Sequence, residues 1–134
     1  MCDPTRELAR EWLTRAEDDL RVARYLLTME EPPPESVGFH AQQCAEKALK
    51  CYLTLHSIPF EYRHDLSYLI DLCSPLDEGF ERFRAEADEL TPYAVEFRYP
   101  DALPGIPLSS ARTAVSTAEH IFAFVKEQVG LSPR

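Results

Sequence analysis

Residues 40–50 of this 134-residue chain place His40, Gln43, Glu46, Lys47 and Lys50 at successive steps of three, three, one and three. On a helix those steps bring the side chains onto one side, as neighbours three and four apart. An imidazole, an amide, a carboxylate and two ammonium groups in such a strip can hydrogen-bond a ligand and set positive charge against a phosphate or an acidic partner. The same spacing also describes a solvated face with a Glu46–Lys50 ion pair worth a few tenths of a kcal/mol, and periodicity alone does not separate the two.

A second group follows at Glu61-Tyr62-Arg63-His64-Asp65. Glu61 and His64 have the Glu-x-x-His spacing of di-iron bundles, but those sites need two such motifs and the chain has one, so no metal site is expected. His64 next to Asp65 could act as a general base with an orienting carboxylate. Adjacent side chains in a turn rarely meet that way, which favours Asp65 as a helix cap and His64 as a packing residue. A third group, Tyr93, Glu96, Arg98 and Tyr99, sets aromatics around one guanidinium that can grip a phosphate in a bidentate manner or stack on a base. Its alternative is an Arg–carboxylate pair beside tyrosines at the edge of the core. The four glycines are scattered, so no phosphate-cradling Gly-x-x-x-x-Gly-Lys loop is present, and no Gly-x-Ser-x-Gly elbow occurs.

The elements that must carry these groups read as helices. Leu8, Trp12, Ala16, Leu20, Ala23 and Leu27 trace one stripe, with Asp3-Pro4 as cap and first-turn proline, and the triple proline 32–34 ends that region. Val37, Ala41, Cys44, Ala45, Ala48, Tyr52 and Leu55 make a second stripe over about 36–56. Asp65 caps a short third helix to Leu72, and Ser74-Pro75 restarts it as far as about Leu90. Residues 91–108 hold four prolines and no helical period, an unusually long connection. The last stripe runs from Ala111 to Val129 and closes on Gly130. No segment alternates at period two. The expected fold is therefore all-α: one domain over 1–134, an antiparallel up-and-down bundle of four to five helices with a long proline-rich loop before the last.

Composition narrows the function classes. With 45% apolar and 28% charged residues the chain has the make-up of a globular domain, and no uncharged run approaches the roughly 20 residues of a membrane span. A formal charge of −9 argues against strong non-specific nucleic-acid binding, which depends on concentrated positive charge. Cys2, Cys44, Cys51 and Cys73 include no Cys-x-x-Cys pair and read as buried thiols. The N-terminal residues lack a basic region followed by an apolar one, so a cytoplasmic location is expected.

Taken together, Trp12, the Ala16–Leu20 stretch, the block Phe39-His40-Ala41-Gln42-Gln43-Cys44-Ala45-Glu46-Lys47-Ala48-Leu49-Lys50, His64-Asp65-Leu66 and Tyr93-Ala94-Val95-Glu96-Phe97-Arg98-Tyr99-Pro100 resemble the HEPN family, over about residues 8–128. The resemblance implies a dimer-forming helical bundle, often paired with a small nucleotidyltransferase in prokaryotic toxin–antitoxin or stress modules. The family's ribonucleases carry an Arg and a His separated by four to six residues. Here Arg98 has no such His, and Arg112 and His120 are separated by seven residues. The resemblance thus points to a non-catalytic module that binds a nucleotide or a partner through His40, Gln43, Lys47, Lys50, His64, Asp65, Arg98 and Tyr99, with no cofactor. A metal-independent RNase toxin is the alternative.

Overall fold

A computed structural model describes residues 3–95 and 105–134. Among them are five α-helices, α1 (Pro4–Leu26), α2 (Pro34–Leu55), α3 (Leu66–Cys73), α4 (Arg84–Leu90) and α5 (Leu108–Val129), two 3₁₀ turns and no strand. This is the expected all-α bundle. Arg98 and Tyr99 lie outside the described residues.

Helix α1 starts where Asp3 Oδ1 accepts the Thr5 amide at 3.0 Å, with Pro4 inside the first turn. Its buried residues are Ala9, Leu13, Ala16, Asp19, Leu20 and Ala23; Ala16, Leu20 and Ala23 fall as expected, while in the first turns Ala9 and Leu13 take the place of Leu8 and Trp12. Both patterns satisfy helical spacing. The realised one puts alanines against the neighbouring helices, so that backbones approach closely, and leaves Leu8 outside at 54% exposure.

The prolines at 32–34 do more than end α1. Pro34 occupies the first turn of α2, two residues earlier than expected, because its missing N–H is one that a helix start leaves unbonded in any case. α2 packs most extensively against α1 and α5 and is the central rod of the bundle. Its buried residues therefore run nearly all round it, from Val37 and Ala41 to Leu49, Cys51 and Leu53. Burial pushes the Cys51 and Cys73 thiols up to about 12, and Cys44 higher still. All three are free.

α2 ends in a Schellman arrangement: Ile58 N–H bonds Leu53 O at 2.9 Å, Ser57 N–H bonds Thr54 O at 3.0 Å, and Ser57 takes a left-handed φ of 56°. That reversal turns residues 58–65 back along α2. Asp65 then caps α3 as expected, its Oδ1 accepting from Ser67 and Tyr68. The restart expected at Ser74-Pro75 falls later, where Asp77 caps a 3₁₀ turn over Glu78–Phe83 that leads into α4. Phe80 and Phe83 anchor this stretch against Phe124 of α5 in edge-on ring contacts.

The stretch read as irregular from 91 onward also begins with structure, a 3₁₀ turn over Thr91–Ala94. Its anchor is Tyr93, whose ring lies against the backbone of α2 at Gly38. A Cβ placed on Gly38 would sit 1.9 Å from Tyr93 Cδ1, so only glycine leaves room. Gly38→Ala is expected to lower stability by about 1–3 kcal/mol through overpacking, read as a lower denaturant midpoint, and Tyr93→Leu in the same chain should recover part of the loss. An unchanged midpoint in Gly38→Ala would refute this packing.

Candidate functional site

Because α2 is covered on both flanks, its polar residues cannot all reach water, and the strip read from the sequence divides into two clusters built on carboxylates. In the first, Asp19 comes from α1 and is buried. Its Oδ1 accepts from His40 Nδ1 at 2.9 Å and its Oδ2 from Lys47 Nζ at 2.6 Å. Burial by itself raises the Asp19 pKa, but the bonds from His40 and Lys47 outweigh it and hold the carboxyl below its usual 3.8.

In the second cluster, Glu46 and Lys50 are both almost wholly inside, the latter only 2% exposed. Glu46 Oε2 accepts from Lys50 Nζ at 2.8 Å, while its Oε1 accepts from Gln42 Nε2 at 3.1 Å and His64 Nδ1 at 2.9 Å. Burial raises this carboxyl too, and the bonds from Lys50, His64 and Gln42 together bring it below its usual 4.5. The ammonium of Lys50 also stands 5.4, 5.6 and 5.1 Å from the ring centroids of Trp12, Phe60 and Tyr62, so three aromatic faces and one carboxylate enclose it. The solvated Glu46–Lys50 pair considered from spacing is thus corrected: the pair forms, but inside the protein.

The 58–65 turn is tied to this second cluster. Gln42 Nε2 also donates to the His64 carbonyl at 3.1 Å, and Gln43 Nε2 donates to Gln42 Oε1 at 2.8 Å. The Glu61 amide donates to Tyr68 Oη at 2.8 Å, and the Arg63 guanidinium lies 4.2 Å from the Tyr68 ring. Glu61 pairs with Arg63 at 3.8 Å while His64 turns toward α2, so the Glu-x-x-His spacing directs its two side chains to different partners.

An ionised carboxylate only accepts hydrogen bonds, so the Nδ1 of His40 and of His64 must each carry the proton shared with Asp19 and Glu46. In the neutral ring that leaves Nε2 as an acceptor. No described residue bonds Nε2 of His64, whose side chain is half exposed. The arrangement is a polar seam: carboxylates inside, and His40, Gln43, Lys47 and His64 at its rim with orientations set from beneath.

The seam brings together His40, Gln43, Lys47, Lys50 and His64. Asp65 stands next to it but serves α3 as a cap and bonds Arg63 at 3.4 Å. Arg98 and Tyr99 are not among the described residues. Sequence reasoning passed over Asp19, Gln42 and the Trp12–Phe60 pair. The signal for Asp19 was the Ala-x-x-Asp-Leu stretch, a carboxylate inside an apolar stripe. No spacing rule flagged Phe60, which reaches Lys50 from a turn.

Comparison with known proteins places this geometry. The sequence model described as the HEPN domain matches residues 9–128. A candidate toxin of Methanocaldococcus jannaschii, MJ1304, is 32% identical over 142 residues, 92% of this chain and 91% of the relative. The crystal structure of TT1696 from Thermus thermophilus superimposes with a TM-score of 0.70 at 32% identity, covering 90% of this chain and 97% of the other. ST0689, an archaeal HEPN homologue, gives 0.70 at 30% identity with the same coverage.

Two consequences of the buried carboxylates are measurable. Glu46→Ala strands the Lys50 charge in the interior and should cost about 3–5 kcal/mol, whereas Glu46→Gln with Lys50→Met should recover much of that loss in denaturant unfolding. Equal losses in the two variants would count against the pairing. Asp19 and Glu46 both have native pKa values below their unfolded ones, so their contribution is complete above the usual 3.8 and 4.5 and is lost as the pH falls below them. Stability should therefore decline on acidification below about 4.5, with a shallower slope in Asp19→Asn/Glu46→Gln. An identical slope in that variant would assign acid sensitivity elsewhere.

Proposed function

The chain belongs to the HEPN domain family, and on that premise we propose that it is a non-catalytic binding module, taking a nucleotide or a small nucleotidyltransferase partner in a prokaryotic toxin–antitoxin or stress system. The observation that carries the reading is the seam itself. A buried ion pair adds little net stability compared with apolar residues of the same size, so a seam of two carboxylates, two lysines, two histidines and two glutamines is costly as mere core. Its value lies in holding rim groups in fixed directions, which lowers the ordering cost of binding.

The electrostatics favour a particular mode of recognition. Lys47 and Lys50 are each neutralised by an internal carboxylate, and the chain as a whole is acidic. Affinity would then come from directional hydrogen bonds at His40, Gln43 and His64, with Arg98 as the phosphate-binding cation, rather than from bulk positive charge. The relative described as a candidate toxin supports the toxin–antitoxin setting.

One observation favours a second reading, the metal-independent RNase. Two imidazoles are each oriented by a carboxylate through Nδ1, the arrangement that prepares Nε2 for proton transfer. His120, the histidine spaced seven residues from Arg112, lies on α5 beside Arg82, Phe83 and Phe124.

Thermal shift with ATP and GTP, and co-purification with a nucleotidyltransferase encoded beside the gene, test the binding reading. A ligand at 100 times its Kd adds about 2.7 kcal/mol of stability, and that gain should vanish in Gln43→Ala and His64→Ala. Absence of both a shift and a co-purifying partner would overturn the proposal. RNA cleavage abolished by His64→Gln would instead establish the second reading.

A further inference from the structure

Away from the seam, a cavity of about 350 Å³ opens between α4, the Thr91–Ala94 turn and the first half of α5. No residue that lines it belongs to the seam, and its volume lies within the roughly 300–1,000 Å³ of small-molecule sites. Leu90, Ile106 and Ala114 give it apolar walls, while its polar groups stand on two helices. Glu86 and Glu89, three apart on α4, form one ridge, and Ser110, Thr113 and Thr117, at i, i+3 and i+7 on α5, form the other.

Two of the three hydroxyl protons are already spent. Thr113 Oγ1 donates to the Ser109 carbonyl at 3.1 Å, and Thr117 Oγ1, on a residue only 4% exposed, donates to Glu86 Oε2 at 3.3 Å. A hydroxyl has one proton, so what both threonines keep for a ligand is lone pairs. Glu89 has no hydrogen bond or ion pair among the described residues, and Glu86 has only the bond from Thr117. No described Lys, Arg or His lines the cavity. In the seam, by contrast, Asp19 and Glu46 each hold a lysine and a histidine.

We propose that this cavity binds a small organic ammonium ion with an apolar body, the chemistry of an alkylamine or a polyamine. Its N–H groups donate to Glu86, Glu89 and the Thr113 oxygen, and its carbon chain covers Leu90, Ile106 and Ala114. An anion meets two carboxylates there and no cation, and a neutral alcohol brings one proton to a row of acceptors. Charge and hydrogen-bond direction therefore select the same class of ligand. The site is independent of binding at the seam.

Isothermal titration of the full chain with hexylammonium, 1-hexanol and hexanoate, which share one carbon chain and differ in the charge of the head, tests the assignment. Hexylammonium is expected to bind at one site at least about ten-fold more tightly than hexanol, and hexanoate more weakly than either. Glu86→Gln/Glu89→Gln should erase the preference for ammonium over alcohol. Thr113→Phe, at an exposed position on the cavity wall, should block binding by filling the space, and both variants should keep the helical circular dichroism. Glu30→Gln/Glu31→Gln removes the same charge from the exposed turn after α1 and should leave the affinity unaltered. Equal binding of hexylammonium and hexanol overturns the proposal, and so does the absence of hexylammonium binding. A loss in the Glu30/Glu31 variant as large as that in the Glu86/Glu89 variant also overturns it, because the overall charge of −9 would then be the cause.

Discussion

The structure turns on where the charge of Lys50 goes. An ammonium at that depth is tolerable only with a carboxylate beside it, and Glu46, one helical turn earlier, is that carboxylate. One oxygen is taken up by Lys50, and the other collects Gln42 and His64. The pair therefore reaches beyond α2. It fixes the 58–65 turn, the approach of Phe60 and Trp12 over the ammonium, and the direction of an imidazole at the surface. Asp19 does the same for the α1–α2 contact, holding His40 and Lys47 from positions 21 and 28 residues away in sequence.

Both clusters are possible because α2 lies between α1 and α5. A helix covered on one side could point such residues to water, and the same sequence would then form ordinary surface ion pairs. Coverage is achieved with small residues: Ala9, Ala16 and Ala23 on α1, Ala41, Ala45 and Ala48 on α2, and Ala111, Ala114 and Ala118 on α5 are buried. Close backbones leave narrow spaces, and a narrow space with a charge in it demands a specific partner rather than any apolar filler.

This explains what was legible in the sequence. The helices were, because stripes of three and four survive any tertiary arrangement, and so were the caps at Asp3 and Asp65, which are local. The HEPN blocks marked His40 to Lys50 and His64 as one region, and the structure joins them. The depth of Glu46 and Lys50 was not legible, since a residue's burial on α2 depends on which helices flank it, and spacing describes one helix alone. Nor was the choice between the Leu8–Trp12 and Ala9–Leu13 stripes on α1. The two differ by one residue, and only the close approach of α2 decides in favour of the small side chains. Tyr93 escaped because its reason for being ordered is Gly38, far earlier in the chain on another helix.

The orientation of α1 has a further effect on how the parts relate. Asp18 and Asp19 are neighbours in sequence, about 100° apart around the helix: Asp19 turns inward to hold His40 and Lys47, and Asp18 turns outward to pair with Arg21. Around the helix Asp19 lies between the directions of Leu8 and Trp12, so its carboxylate reaches His40 and Lys47 from the edge of the Ala9–Leu13 stripe.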